Sequence, residues 1–341
     1  MQSRSEREWR GRLEDLCARI RRGTRRALDD ASENGDLRPL ARAVRQGAGD
    51  VTYAIDELVE RSLLEWLDET ASQTPLSLLT EDSGWMHRGP GPNGVRELPG
   101  FDHGGPRIAL DPIDGTRNLM ADLRSAWSVV SFAGPGPDEP RLAELSLGIL
   151  SELPDSRAAR YRVMWAEGPD EARIETRELD GGGVVRASAL RADDSARVDH
   201  GYFPFFRYAP DQRPALARIE AEFFERLREH EGADLRHVFD DQYISNAGQL
   251  AQLCFGVYRL IVDARGFLAR RMGVATITSK PYDVAGAIYV ARAAGCVLVA
   301  PNDARLDFPL DVTTPVDFVG FANRASHARM APHLWRAFET R

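Results

Sequence analysis

Two aspartates flank a tight turn in the segment at 111–116, Asp-Pro-Ile-Asp-Gly-Thr, directly after the apolar run at 107–110. Pro112 fixes its own φ angle, and Gly115 can adopt backbone conformations that are closed to other residues. The chain can therefore bend so that both carboxylates and the Ile113 carbonyl oxygen face one point. Hard oxygen ligands that converge in this way suit Mg²⁺. The same residue types are also common in turns that bind nothing.

Further acidic positions could complete such a site. Glu81 and Asp82 end a strand-like run, and Asp283 opens a helical pattern. Each has a structural alternative, because the first pair could be the solvated end of a strand and Asp283 could be a helix cap. Several carboxylates packed together would repel one another and an anionic substrate, so their convergence would itself indicate bound cations.

Taken together, these residues resemble the inositol monophosphatase family, within the wider superfamily of Mg²⁺-dependent, Li⁺-sensitive phosphatases that includes fructose-1,6-bisphosphatase. Four elements carry the resemblance, in family order, over residues 50–295. They are Asp50-Val51-Thr52-Tyr53-Ala54-Ile55-Asp56, Glu81-Asp82, the segment at 111–116, and Tyr282-Asp283-Val284-Ala285-Gly286 with Ala294-Gly295. Four ordered motifs are far more specific than any one of them.

The resemblance implies a metal site built from oxygen ligands. Glu81, Asp111 and the Ile113 carbonyl would bind the first Mg²⁺. Asp111, Asp114 and Asp283 would bind the second, with Asp111 bridging the two ions. The implied cofactor is therefore Mg²⁺, with two ions per subunit and a third, weaker position.

The resemblance also implies how water and phosphate are handled. Thr116, paired with Asp56, would orient and deprotonate the attacking water. We expect Glu81 to be a third catalytic residue. The backbone N–H groups of Gly115 and Thr116 begin a helical turn and would donate to the phosphate oxygens. The resemblance therefore implies that the substrate is a small phosphorylated metabolite.

The rest of the substrate would contact residues of the second half. Asp283, Asn246 and Asp263 are the candidates, although a helix start explains the segment around Asn246 equally well. We interpret Arg265 as a solvated loop residue rather than an anion ligand. Lys280, the only lysine in the chain, precedes Asp283 by three residues. We interpret it as an exposed side chain, and a role at the ligand site is the less favoured alternative.

Four features depart from the family pattern. Asp82 stands where relatives commonly have glutamate, and Arg45 stands near where many have lysine. Tyr282 replaces the usual tryptophan, which we expect to be a packing change. The segment at 84–106 is rich in Gly and Pro, looks longer than in compact family members, and is predicted to be a loop that could act as a lid or as a partner surface.

The expected activity is hydrolysis of a small phosphate monoester. A 3'(2'),5'-bisphosphate nucleotidase and a histidinol-phosphate phosphatase are the alternatives within the class, and the second is hinted at by the Lys-Pro-Tyr-Asp sequence at 280–283. A catalytically silent, phosphate-binding regulatory protein is the alternative from another class. Thr116 and Asp56 favour the enzyme, because a protein that only binds phosphate has no need to activate water.

The elements that must position these residues follow from periodicity. Apolar residues at helical spacing predict helices over 5–30 and 52–69, and strand-like runs between 107 and 167 predict an antiparallel sheet. Later, helical patterns alternate with short apolar runs. We expect an α/β fold, an αβαβα sandwich like that of inositol monophosphatase. Residues 1–185 would form an antiparallel-sheet domain with most metal ligands, and 186–341 an α/β domain with Asp283.

Composition excludes several classes of protein. The 341 residues carry 44 Lys plus Arg against 52 Asp plus Glu, a net charge of −8, which argues against nucleic acid as the main partner. No run of 18 apolar residues occurs and the first residues lack an apolar core, so we expect a cytoplasmic protein without a membrane partner. Cys17, Cys254 and Cys296 have no metal-binding spacing and are expected to be buried. Relatives suggest a homodimer.

Overall fold

The structure is a computed structural model that describes residues 2–46, 51–81 and 83–339. Two residues of the sequence motifs, Asp50 and Asp82, lie outside the described residues, as does the side chain of Arg45. The predictions made for these three positions therefore stay predictions.

Strands predominate between residues 43 and 190, and helices predominate after residue 213. The strands are β1 Ala43–Gln46, β2 Val51–Tyr53, β3 Leu76–Thr80, β4 Gly84–Gly91, β5 Gly94–Glu97, β6 Arg107–Asp114, β7 Ala126–Ala133, β8 Leu145–Leu153, β9 Arg160–Glu167, β10 Ala172–Glu178, β11 Val184–Leu190, β12 Leu260–Asp263, β13 Val297–Val299 and β14 Phe318–Phe321. The α-helices are α1 Gln2–Glu33, α2 Ala54–Ala71, α3 Thr116–Met120, α4 Arg213–Glu231, α5 Asn246–Cys254, α6 Arg265–Met272, α7 Pro281–Ala293 and α8 Arg324–Glu339.

Over the described residues, the largest sheet has nine strands in the order β11-β10-β9-β8-β7-β6-β3-β4-β5. Neighbouring strands are antiparallel, as predicted, except that β3 and β6 run parallel. The chain leaves β3 for the hairpin β4–β5, which occupies the far side of β3, and returns to pair β6 on the near side. The parallel pair places the carboxyl end of β3, at Glu81, beside β6.

Period-two alternation in β6 separates the two faces of this sheet. Ile108 and Leu110 pack with α1 and α2, whereas Ala109 between them packs with α5 and α7. The sheet β12-β14-β13 lies beyond α5, and α4 and α8 cover its outer face. The layers are therefore α, β, α, β and α, which confirms the predicted sandwich.

Helix α1 shows why the sequence pattern was sufficient for the first layer. Trp9, Leu13, Leu16 and Ile20 repeat at helical spacing and are all buried against α2 and the large sheet. The predicted helices over 5–30 and 52–69 correspond to α1 and α2. Cys17, Cys254 and Cys296 are buried, as expected.

The segment at 84–106 is not a loop throughout, so that prediction was wrong. β4 and β5 form a hairpin in which Gly91 pairs with Gly94. Glycine and proline resemble a loop in sequence, but an edge hairpin tolerates both, because a strand at the edge leaves one row of backbone groups unpaired. The short helix α6 was not predicted either.

The predicted domain boundary at 185–186 falls within β11. A division of the chain would therefore have to follow residue 190, where the large sheet ends in sequence. The division into two domains itself stays a prediction. None of the described helices is long and apolar enough to span a membrane.

Candidate active site

The chain bends at 111–116, as its proline and glycine predict. The pairing of β6 with β7 shifts register between Asp111 and Asp114, so β6 bends away from its neighbour. The Ile113 N–H donates to Asp111 Oδ1 at 2.9 Å. Gly115 has φ = 98°, a left-handed conformation that disfavours any side chain. The turn therefore needs its glycine.

Asp283 is brought to this turn by helix α7, which packs closely on the sheet. A Cβ atom on Gly286 would lie 2.2 Å from the Val130 carbonyl oxygen, so only glycine allows this approach. Asp283 Oδ2 also accepts the Lys280 N–H at 2.8 Å and thus caps the helix. The ammonium group of Lys280 is directed elsewhere, to the Thr313 carbonyl at 2.9 Å.

Four predicted ligands lie close enough to influence one another's charge. Burial raises the pKa of the Asp111 carboxyl group well above its usual value. Repulsion from three neighbouring carboxylates raises it further, namely Asp114, Asp283 and Glu81. Burial likewise raises the pKa of Asp283, and repulsion from Asp114 and Glu81 adds to the effect. The structure thus gathers these carboxylates from β3, β6 and α7.

Asp114 is held by the start of helix α5. Ser245 Oγ and the Ala247 N–H donate to Asp114 Oδ2 at 2.7 and 2.6 Å, and the Asn246 N–H donates to Oδ1 at 3.2 Å. Burial nevertheless raises the pKa of Asp114 to about 6, against the lowering effect of these hydrogen bonds. Asp114 therefore links the turn to the second half of the chain.

The donor chemistry of this set fits Mg²⁺, because carboxylate oxygens are its preferred ligands and their mutual repulsion needs a cation to offset it. Among the described residues, however, no three Asp, Glu, His or Cys side chains are placed to hold a metal. Asp114 and Asp283 instead accept hydrogen bonds from helix starts. The assignment of ligands stays a prediction.

Thr116 and Asp56 are neighbours, although 60 positions separate them. The Thr116 hydroxyl lies 3.3 Å from Asp56 Oδ1 and 2.9 Å from the Ile113 carbonyl oxygen, and its single proton can be donated to only one of them at a time. Asp56 Oδ2 accepts the Tyr53 N–H at 2.8 Å at the start of α2. A hydroxyl beside a fixed carboxylate can pass on a proton.

Known proteins resemble this chain in their fold and not in their sequence. The sequence matches no protein-family model and no curated protein. A solved Pyrococcus horikoshii protein described as having similarities to inositol-1 monophosphatase is 13% identical, with 98% of this chain and 99% of that chain covered and a TM-score of 0.61. Leishmania major fructose-1,6-bisphosphatase is 12% identical, with 94% of this chain and 93% of that chain covered and a TM-score of 0.65. Staphylococcus aureus inositol monophosphatase-II is 14% identical, with 97% of this chain and 96% of that chain covered and a TM-score of 0.55. The chain has the inositol monophosphatase fold.

In this fold the residues of the second half meet beside the turn. Asp263 ends β12 and is 1% exposed, and both of its oxygens accept hydrogen bonds from Arg265 at 2.8 and 2.7 Å. Ser279 Oγ lies 3.0 Å from Asp263 and 3.2 Å from Asn246 Oδ1. Contact of Asp263 and Asn246 with substrate stays a prediction, and Asp263 would have to share its oxygens with Arg265.

The interpretation of Arg265 as a solvated residue was wrong. It is 7% exposed, paired with Asp263, and its guanidinium carbon lies 4.8 Å from the centre of the Phe206 ring. A buried guanidinium is tolerated because its donors are satisfied and its charge is paired. The available signal was an aspartate and an arginine two positions apart where a strand ends.

Two further residues of the site were not found by sequence reasoning. Tyr208 lies beside two guanidinium groups, with its ring centre 5.2 Å from the Cζ atom of Arg265 and 5.7 Å from that of Arg117. Nothing in the spacing around residue 208 links it to the turn. Asn118 lies just after the turn, and its side chain bonds to the Ile244 carbonyl at 2.7 Å. Its position next to the motif was the only signal.

Proposed function

We propose that the protein is a Mg²⁺-dependent phosphatase that hydrolyses a small phosphate monoester. The observation that carries the proposal is the Thr116–Asp56 pair at the glycine turn, where Asp111 also faces the charges of Asp114, Asp283 and Glu81. The fold supports it, because the solved proteins that share it are named inositol monophosphatases and fructose-1,6-bisphosphatases.

The carboxylates have the role of metal ligands in this proposal. Glu81, Asp111 and the Ile113 carbonyl would hold one Mg²⁺, and Asp111, Asp114 and Asp283 would hold a second. Bound Mg²⁺ would supply charge neutralisation at the phosphoryl group and a more acidic water. Such help is needed because the uncatalysed hydrolysis of phosphate monoesters is among the slowest reactions known, with barriers that enzymes lower by about 20 kcal/mol or more.

Thr116 and Asp56 orient the attacking water. Thr116 Oγ1 accepts the water proton while its own proton moves to Asp56 Oδ1, 3.3 Å away. The N–H that holds Asp56 Oδ2, from Tyr53, keeps the carboxylate facing Thr116. The backbone N–H groups of Gly115 and Thr116 donate to the phosphate oxygens, where their fixed dipoles offset the negative charge that the phosphate carries before and during the reaction.

The substrate is a small phosphorylated metabolite. Asn246 and Asp263 are the candidates to contact its alcohol part. The Asn246 N–H donates to Asp114, and Ser279 Oγ lies within hydrogen-bond distance of both candidates. An inositol phosphate, a sugar phosphate, histidinol phosphate and a 3'(2'),5'-bisphosphate nucleotide are the substrates to compare. A silent phosphate-binding protein is disfavoured, because it would have no use for the Thr116–Asp56 pair.

The test is phosphate release from a panel of these monoesters with Mg²⁺, with a chelator and with added Li⁺. We expect turnover of one compound that requires Mg²⁺ and is inhibited by Li⁺. Turnover that survives chelation would contradict the metal assignment. A protein whose melting temperature rises with Mg²⁺ but which releases no phosphate from any compound would favour the regulatory alternative.

A further inference from the structure

The glycine turn lies directly against the chain that leads into α5. A Cβ atom on Gly115 would stand 2.9 Å from Ser245 Cβ and 3.1 Å from the Ile244 carbonyl oxygen. The turn at Gly115 is therefore packed closely against residues 244–245. Any movement of residues 244–245 would therefore be transmitted to the N–H groups of Gly115 and Thr116.

Hydrogen bonds join the same two segments on both sides of the glycine. Before it, Asp114 accepts bonds from Ser245 Oγ and the Ala247 N–H at 2.7 and 2.6 Å. After it, Asn118 Nδ2 donates to the Ile244 carbonyl oxygen at 2.7 Å across 126 positions of sequence. Asn118 is 3% exposed, so no water can easily replace this donor.

The turn cannot fix its own orientation. Helix α3, which follows it, has five residues, and so short a helix is unstable without tertiary contacts. Within it, the Asn118 N–H donates to the Gly115 carbonyl at 2.9 Å, so Asn118 also closes the turn itself. Backbone N–H groups stabilise an anion well only when they are held in place beforehand. Asp114 holds the turn before the glycine, and Asn118 is the side chain that holds it after the glycine.

We propose that Asn118 is a positioning residue for phosphate: by anchoring the Ile244 carbonyl, it holds the N–H groups of Gly115 and Thr116 toward the phosphate oxygens without touching the phosphate itself. The inference rests on the proposed function. The N–H groups would contact phosphate both before and during the reaction. Loss of Asn118 should therefore weaken phosphate binding and raise KM together, with little change in kcat.

The experiment uses inorganic phosphate as the probe, in the presence of Mg²⁺, with the full chain. Its dissociation constant is measured by calorimetry for the wild type, Asn118→Ala and Asn118→Ser, and KM and kcat follow for the best substrate. Asn323→Ala is the matched control, because Asn323 is 5% exposed and donates to the Ser195 carbonyl at 2.8 Å, at the start of α8. It joins distant segments as Asn118 does.

We expect the Asn118 variants to raise the phosphate dissociation constant and KM by about tenfold, with kcat changed less than about threefold. Asn323→Ala should lower the melting temperature and leave phosphate binding unchanged. If Asn118→Ala does not fold, Asn118→Ser decides. Folded Asn118 variants that bind phosphate like the wild type overturn the inference, as does an equal loss in Asn323→Ala.

The proposed function and this inference fail in different ways. A wild-type protein that binds phosphate with Mg²⁺ but hydrolyses no monoester overturns the proposed function, and the binding measurements still decide the role of Asn118. A wild-type protein that does not bind phosphate overturns both. Hydrolysis by the wild type with unchanged binding in the Asn118 variants overturns the inference alone.

Discussion

Asp111 is the residue on which the electrostatics of the site converge. It sits at the bend of β6, is half-buried, and faces the charges of Asp114, Asp283 and Glu81. A carboxylate in this setting destabilises the metal-free fold when it is ionised, because burial and like charges both oppose its charge. The same features would favour a bound cation, as the proposed ligand role of Asp111 requires.

At the residue scale, we predict that Asp111→Asn raises the melting temperature of the chelated protein at pH 8 by about 2–4 °C. The amide keeps the shape of the side chain and removes the repelled charge. Mg²⁺ should raise the melting temperature of the wild type and have little effect on the variant. Thermal unfolding with and without chelator measures both effects.

Asp311→Asn is the control for Asp111→Asn. Although burial opposes it, hydrogen bonds from Thr314 and Thr313 hold the pKa of Asp311 below its usual value. The ionised form of Asp311 therefore stabilises the fold, and Asp311→Asn should lower the melting temperature with or without Mg²⁺. A chelated Asp111→Asn protein that melts below the wild type would contradict the repulsion argued here.

Residue types alone predicted part of this site. Proline and glycine around two aspartates were enough to predict the turn, because those residues limit the backbone locally. The state of Asp263 could not be predicted in this way. The sequence around Asp263 would be the same whether its carboxylate faced substrate or paired with Arg265. Which of the two occurs depends on packing that brings Phe206 and Ser279 from other segments to Arg265.

At the element scale, the hairpin of β4 and the segment after β5 are joined to β3 by a serine and two histidines. Ser77 Oγ lies 2.7 Å from both His87 Nδ1 and His103 Nε2, and the Gly105 N–H donates to His103 Nδ1 at 3.1 Å. Neutral His103 must therefore carry its proton on Nε2 and donate to Ser77, which then donates to His87. Protonating His103 would place its Nδ1–H against the Gly105 N–H, and protonating His87 would remove the acceptor of the Ser77 hydroxyl proton.

This chain of hydrogen bonds predicts a pH-dependent stability. Burial lowers the pKa of His87, and burial together with the charge of His87 lowers that of His103. The unfolded chain then binds more protons than the folded one, so the contribution is full above the unfolded pKa of about 6.5 and is lost as pH falls through the lower folded values. We expect His103→Gln to be about 1–2 kcal/mol less stable than the wild type at pH 8.

Urea unfolding between pH 8 and pH 5 measures this effect. The gap between the wild type and His103→Gln should close as the pH falls, because the wild type loses what the variant never had. The difference between the two proteins removes the background titration of other groups. A gap that stays constant over this range would show that the histidines are not held neutral by the fold.

The elements were predictable to the extent that they bury one face. Helices α1 and α2 repeat apolar residues at helical spacing, and the strands from β6 to β9 are apolar runs, so both were predicted. The β4–β5 hairpin buries little and contains Gly and Pro, and its pairing depends on an edge that only the folded sheet supplies. Helix α6 is short and rich in arginine, which left no periodic signal.

At the scale of the whole molecule, the site depends on layers that meet at the carboxyl ends of two inner strands of the large sheet. β3 and β6 deliver Glu81 and Asp111, and α7 reaches over the opposite face with Asp283 because Gly286 lets it pack closely. Residues from both halves of the chain are therefore needed. The division into two domains and a homodimer remain predictions.

The central claim is that these carboxylates form a Mg²⁺-dependent phosphatase site. The most direct measurement compares phosphate release by the wild type and by Asp111→Asn, at saturating Mg²⁺, on the best substrate of the panel. We predict turnover by the wild type that a chelator abolishes, and at least about a thousandfold lower turnover by a folded Asp111→Asn protein. Substantial turnover by Asp111→Asn would contradict the account.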